Sequence, residues 1–269
     1  YPVCTGQTKC YNDTDEISCP AFGSDFYGQD TQYSSICNPR NFTVSGSAPE
    51  ETVFDNNSRL EWQRTAPTEK YNWNDAKNYC DNLIYAEYSD WRLPTSLELG
   101  TLPDYGKVNP AIDTAIFPLD VFVQDGFWSS TSSSNFLAKA WIVMFHSGYF
   151  FASDITSEFN VRCVRGISIP SYTFTESTIE GKIIVTDTIT ELIWTKETIS
   201  GKTWKSALSY CENLSYAGYA DWRLPNINEL KTLLDHNIKD RPYSSFPGIT
   251  ESRFWSSSAF ENTSATTAW

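Results

Sequence analysis

Cysteine, histidine and the charged side chains flanking tryptophan are the groups in this sequence that could do chemistry. The chain holds seven cysteines and two histidines in 269 residues. No two cysteines form a Cys-x-x-Cys pair, and His146 and His236 stand far apart. Neither a structural zinc site nor a thiol redox couple is therefore encoded locally. Cysteines crowded toward the N-terminus point instead to disulfides and an oxidising compartment. No nucleophile–base pair or carboxylate pair can be nominated from spacing, so the sequence reads as a protein that is not an enzyme. With 33 acidic against 20 basic residues the net charge is −13. That argues against nucleic acid and against strongly anionic polymers, which need Lys/Arg patches. The carboxylates could offer oxygen ligands to calcium, but no specific site stands out and no cofactor is expected.

The strongest signal is a pentapeptide that occurs twice. Asp90-Trp91-Arg92-Leu93-Pro94 returns 131 positions later (221 − 90) as Asp221-Trp222-Arg223-Leu224-Pro225. Trp73, Ala76, Tyr79, Cys80 and Leu83 return at that offset as Trp204, Ala207, Tyr210, Cys211 and Leu214. Further on, Phe127-Trp128-Ser129-Ser130 returns as Phe254-Trp255-Ser256-Ser257, and Trp141 matches Trp269. A unit of this length is a domain rather than a solenoid repeat. Trp, Arg and Asp side by side suggest a binding site, but a fold-defining corner is the favoured reading. Trp91 and Trp222 would fill the gap between two helices. Arg92 and Arg223 would fork onto a carboxylate or backbone carbonyls. Asp90 and Asp221 belong to the same corner, and Pro94 and Pro225 would set the exit angle.

Three segments must position these groups. Residues 1–42 form a Cys-rich leader, 43–167 a first repeat and 168–269 a second. In the leader, Cys10 to Cys19 reads as a hairpin with Asn/Asp turn residues. Of the three possible pairings, that hairpin favours Cys10 with Cys19 and leaves Cys4 for Cys37. Each repeat opens with two short strands, Thr52–Asp55 and Leu60–Trp62 in the first, Lys182–Val185 and Leu192–Trp194 in the second. A helix follows, capped by Asn72 or Thr203, with its apolar stripe spaced i, i+3, i+4, i+7. Thr95-x-x-Glu98 and Asn226-x-x-Glu229 start a second helix, short in the first copy because of Gly100 and Pro103. In the second copy Ile227, Leu230, Leu233 and Leu234 are expected on one face. Trp141–Phe145 and Tyr149–Phe151 read as strands around a turn at His146. Val161–Arg165 is expected as a closing strand alternating apolar and basic residues, with Cys163 inward. Cys80, on the inner face of its helix, should bridge to Cys163.

Because Trp269 matches Trp141, the second repeat lacks counterparts of Ile142 through Gly166, including a partner for Cys211. The expectation is an incomplete second domain, completed by further chain or by a neighbour's strand. Sequons at Asn12, Asn41, Asn56, Asn213 and Asn262 are possible glycosylation sites if the host has the machinery. No apolar run approaches the ~18 residues a membrane span needs.

The sequence resembles the Lcl C-terminal-like domain family, named for the globular end of a bacterial collagen-like adhesin. The residues that carry the likeness are Leu60 and Trp62, Trp73 to Cys80, Asp90 to Leu99, Trp128 to Ser130, and Val161 to Arg165. The resemblance implies an α+β fold: two tandem C-type-lectin-like domains, each of two helices on small antiparallel sheets tied by a helix-to-last-strand disulfide. It also implies adhesion. Attachment to sulfated polysaccharide, known in the family, is opposed here by the net charge of −13. Trp73-Asn74-Asp75 looks superficially like a lectin calcium tripeptide, but it sits at a helix start and is read as chance.

The sequence is therefore read as a secreted or cell-surface bacterial protein with adhesin-like binding of a glycan or a surface protein. Loops around 103–140 carry the aromatics and Ser/Asn such contact uses. The alternative is a structural subunit that self-assembles into an extracellular filament or surface layer through its tandem domains.

Overall fold

The computed structural model of the protein describes residues 3–119, 126–133, 138–235, 241–242, 254–260 and 267–268. His236, Asn262 and Trp269 lie outside the described residues. The chain is α+β and falls into two compact units. One is Arg40–Pro170; the other joins Tyr1–Pro39 to Ser171–Trp269. The leader thus shares a unit with the second repeat, 131 residues further along the chain.

Within the leader, β1 (Cys10–Tyr11) and β2 (Glu16–Ile17) pair antiparallel. The Asn12 side chain accepts from the N–H groups of Thr14 and Asp15, which shapes the turn between them. Disulfides join Cys10 to Cys19 and Cys4 to Cys37.

The unit Arg40–Pro170 contains two sheets. β3 (Phe42–Ser45), β4 (Thr52–Asp55), β5 (Glu61–Gln63) and β9 (Val164–Arg165) form the first, in the order β3-β4-β5-β9. β6 (Gly126–Ser132), β7 (Lys139–Met144) and β8 (Tyr149–Asp154) form the second. Helix α1 (Trp73–Asp81) starts where the Asn72 side-chain Oδ1 accepts from the Asp75 N–H at 3.0 Å. Ala76 and Cys80, one turn apart, are fully buried, and Cys80 is bridged to Cys163. Helix α2 (Ser96–Leu99) has a reciprocal capping box between Thr95 and Glu98 and ends at Gly100. Apolar groups from both sheets meet in a core around Val53, Leu60, Trp62, Leu99, Phe117, Phe127, Val143 and Phe145.

The second repeat folds alike. β10 (Phe174–Ile179), β11 (Lys182–Asp187) and β12 (Ile193–Thr195) form a three-stranded sheet. Helix α3 (Trp204–Glu212) is capped by Thr203, and α4 (Ile227–Thr232) by the Asn226–Glu229 box. Short pairs follow, β13 (Leu234–Asp235) with β14 (Arg241–Pro242), and β15 (Ala259–Phe260) with β16 (Thr267–Ala268).

Three expectations are corrected. The closing strand is only Val164–Arg165, and Arg162 does not face solvent: it is fully buried. Leu234 is not on the apolar face of α4, which stops at Thr232; it lies in β13 and is exposed. The strands Phe42–Ser45 and Phe174–Ile179 were not anticipated, because their largely exposed Thr, Ser and Glu residues show no apolar alternation.

Candidate binding cleft

The backbone from Gly100 to Leu119 has little regular structure, so its carbonyl groups need partners from elsewhere. Three arginines supply them. Arg40 donates to the carbonyls of Thr101 at 3.0 Å and Leu102 at 3.1 Å, and to that of Pro103. Arg64 donates to Ile116 O at 3.1 Å and Ala115 O at 2.9 Å while paired with Glu51. Arg162 donates to Gln63 O at 2.8 Å, to Arg64 O and to Pro118 O. Its guanidinium lies 5.1 Å from the ring centre of Phe117 and 5.7 Å from that of Phe127. Burial holds the Arg40 guanidinium below its usual range and pulls that of Arg162 down to about 10. Five donors in a fixed fork make arginine suited to pinning several carbonyls of an irregular loop.

The pinned loop is also tied to the β7–β8 hairpin. Ala111 N–H donates to Phe145 O at 2.6 Å, and Asn109 N–H to His146 O at 2.9 Å. Tyr105 is buried and donates its hydroxyl to Gly148 O, and burial raises its pKa far above the usual phenol range.

These supports leave a cavity of about 290 Å³ lined by Arg40, Asn41, Phe42, Leu102, Asp104, Asp113, Ile116 and Phe117. Phe42 and Phe117 form its apolar wall, edge to face with centroids 5.3 Å apart. Lys107 lies between the carboxylates, 3.6 Å from Asp104 and 3.2 Å from Asp113. The other oxygen of each carboxylate is held by a local turn: Asp104 Oδ1 accepts from Gly106 N–H and Asp113 Oδ1 from Ala115 N–H, each at 3.1 Å. The lining thus offers carboxylate acceptors, an amide and an aromatic surface, with the Lys107 ammonium held beside it by both carboxylates, in a space of small-molecule size.

The twice-repeated motif contributes no residue to the lining of this cleft and takes matching arrangements in its two copies. Trp91 Nε1 donates to Tyr85 O and Trp222 Nε1 to Tyr216 O. Arg92 forks onto Glu98, and Arg223 onto Glu229. Pro94 O accepts from Ser130 N–H as Pro225 O does from Ser257 N–H. Asp90 pairs with Arg165 at 2.7 Å, which also holds Glu61, while Asp221 is exposed. Of the sequons, Asn41 and Asn213 are exposed, and Asn12 and Asn56 are half-buried. Asn41 lines the cleft, where its side chain and backbone accept from Asn56 Nδ2. Cys211 carries a free thiol that burial, with Glu212 beside it, pushes up to about 11. Among the described residues no group of three or more His, Cys, Asp or Glu is arranged to hold a metal.

Arg40, Arg64 and Arg162 were missed as site builders. Flanking by Val161 and Cys163 made Arg162 look like an outward strand residue, and no local signal marks the other two.

A family model of the Lcl C-terminal domain matches residues 51–165 and 183–269. The chain belongs to the Lcl C-terminal domain family. It carries two tandem copies, and no curated protein matches the chain. The first Lcl copy contributes the cleft residues from Leu102 to Phe117, whereas Arg40, Asn41 and Phe42 come from just outside it. The leader lies outside both matches. Lcl membership suggests a surface or adhesin-like protein, and three disulfides fit an extracellular one. Among the described residues, no helix is long and apolar enough to cross a membrane.

Proposed function

We propose that this protein is a non-enzymatic, secreted or cell-surface module of two C-type-lectin-like domains that binds a glycan through the cleft of its first repeat. The observation that carries the reading is the cleft itself. Its loop is held in place by Arg40, Arg64 and the fully buried Arg162 before any ligand arrives, so binding forfeits little ordering entropy. Asp104 and Asp113 can accept hydroxyl hydrogens, Lys107 and Asn41 can donate, and Phe42 and Phe117 offer an apolar face to a sugar ring. A net charge of −13 favours neutral glycans over sulfated ones.

The test is a glycan array read beside calorimetry on the disulfide-intact protein. Neutral glycans should bind, and Asp113→Ala should abolish binding with the melting temperature unchanged. Preference for sulfated polymers, or full binding by Asp113→Ala, would sink the reading.

A further inference from the structure

We infer that the outer face of α3 is a receptor for the leader, and that it takes the leader of a second copy of this chain as well as its own. This interaction is separate from the glycan cleft and stands whether or not that cleft binds sugar.

The two repeats differ where the leader sits. On α1 the outward positions are Asn74, Lys77 and Asp81, with Lys77 reaching over the Trp73 ring and Asp81 exposed. On α3 the same positions are Lys205, Leu208 and Glu212. Leu208 is fully buried, packed with Trp204, Leu224 and the leader's Tyr11 and Phe26. Lys205 pairs with Asp25 at 2.5 Å, and Glu212 accepts from the Tyr33 hydroxyl at 2.6 Å. Gly28 approaches so closely that a Cβ there would lie 2.7 Å from Glu212 Oε1. Beyond the helix, Gln7 brackets the backbone of Ala259, its amide accepting from the N–H and donating to the carbonyl. Asp30 accepts from Ser258 Oγ and Thr5 Oγ1, each at 2.6 Å. Asn228 donates to Val3 O at 2.9 Å.

Two features make this contact exchangeable. Two internal disulfides staple the leader, so it can leave the face without unfolding. The contact is also rich in side-chain hydrogen bonds and charge pairs, as separable interfaces are. A neighbour's leader is the same segment and makes the same contacts, which makes exchange a low-cost route to association. Leader and receptor are different surfaces, so each exchange leaves a free leader and a free face. Assembly then runs head to tail, giving the filament reading a mechanism. Tethering favours the chain's own leader in dilute solution, and crowding shifts the balance to neighbours.

The Lys205–Asp25 pair provides the readout. A carbodiimide joins such a pair by an amide between Lys205 Nζ and the Asp25 carboxyl carbon, the water released being taken up as urea. Full chains carrying ¹⁴N and ¹⁵N are mixed in urea with disulfides intact, returned to buffer at graded concentration and cross-linked. Mixed-isotope Asp25–Lys205 peptides should rise with concentration, together with a ladder of multimers. Leu208→Lys should remove the cross-link, and Asp25→Asn should remove it while leaving the multimers. Same-isotope pairs alone at every concentration, or no such cross-link in the parent chain, overturns the inference.

Discussion

Both carboxylate oxygens of Glu98 lie 2.7 Å from the guanidinium of Arg92, and Glu98 also accepts the Thr95 N–H at 2.8 Å. One side chain thereby closes the Asp-Trp-Arg-Leu-Pro corner and caps α2. Its carboxylate is fully buried, whereas Arg92 keeps part of its surface in water. Removing the acid strands a semi-buried cation and the backbone N–H groups of Thr95 and Ile169. Glu98→Ala should cost about 3 kcal/mol, read by urea unfolding, and Arg92→Lys should recover only part of the stability because it loses the fork. A Glu98→Ala protein as stable as the parent would remove the corner from the fold-defining role.

Acidity should act on the two units with opposite signs. Burial would raise the Glu98 pKa, but Arg92 and the Thr95 N–H outweigh it and hold the group below its usual range. Its contribution is therefore present above the unfolded-state pKa and lost as pH falls through the lower folded value. Asp30 and Glu212 are raised, first of all by burial. Their folded forms hold protons that the unfolded chain has released, so stability of the leader contact falls as pH rises from about 4. Hydrogen exchange at Tyr11 and at Leu99, followed against pH, should move in opposite directions.

The Cys80–Cys163 bridge closes a separation of 83 residues. In the chain-entropy account its loss costs about 4 kcal/mol. A Cys80→Ser, Cys163→Ser double variant should unfold at correspondingly lower denaturant, with the second repeat unaffected.

Arg162 is the support whose removal should separate stability from recognition least cleanly. Arg162→Met keeps the bulk between Phe117 and Phe127 but leaves the Gln63, Arg64 and Pro118 carbonyls short of donors. A loss of about 2 kcal/mol is expected, together with weaker glycan binding. By contrast, Lys107→Ala should leave stability within about 0.5 kcal/mol, as surface changes usually do.

Much of the scaffold was legible because its signals are local. Asn72, Thr95, Thr203 and Asn226 sit at helix starts, where a short side chain can accept a free N–H. Ala76 and Cys80 share a face by helical period alone. The cleft was legible only as a stretch of loop rich in aromatics and polar groups. What builds it, guanidinium groups of Arg40, Arg64 and Arg162 reaching carbonyls more than 40 residues away, leaves no periodic trace. The leader contact is equally non-local: Tyr33 meets Glu212 across 179 positions. Its one hint was Leu208 standing where the other copy has Lys77.

Joining Tyr1–Pro39 to Ser171–Trp269 also sets an order of events during synthesis. The leader emerges ahead of the first repeat but meets its partner only after the whole of Arg40–Pro170 has followed. Contacts so distant in sequence form slowly. The leader's own crosslinks span only 9 and 33 residues, so they can close while the receptor helix is still unmade. The first repeat, an uninterrupted run of chain, can complete itself during that wait. A nascent chain therefore carries a stapled, unclaimed plug through much of its maturation.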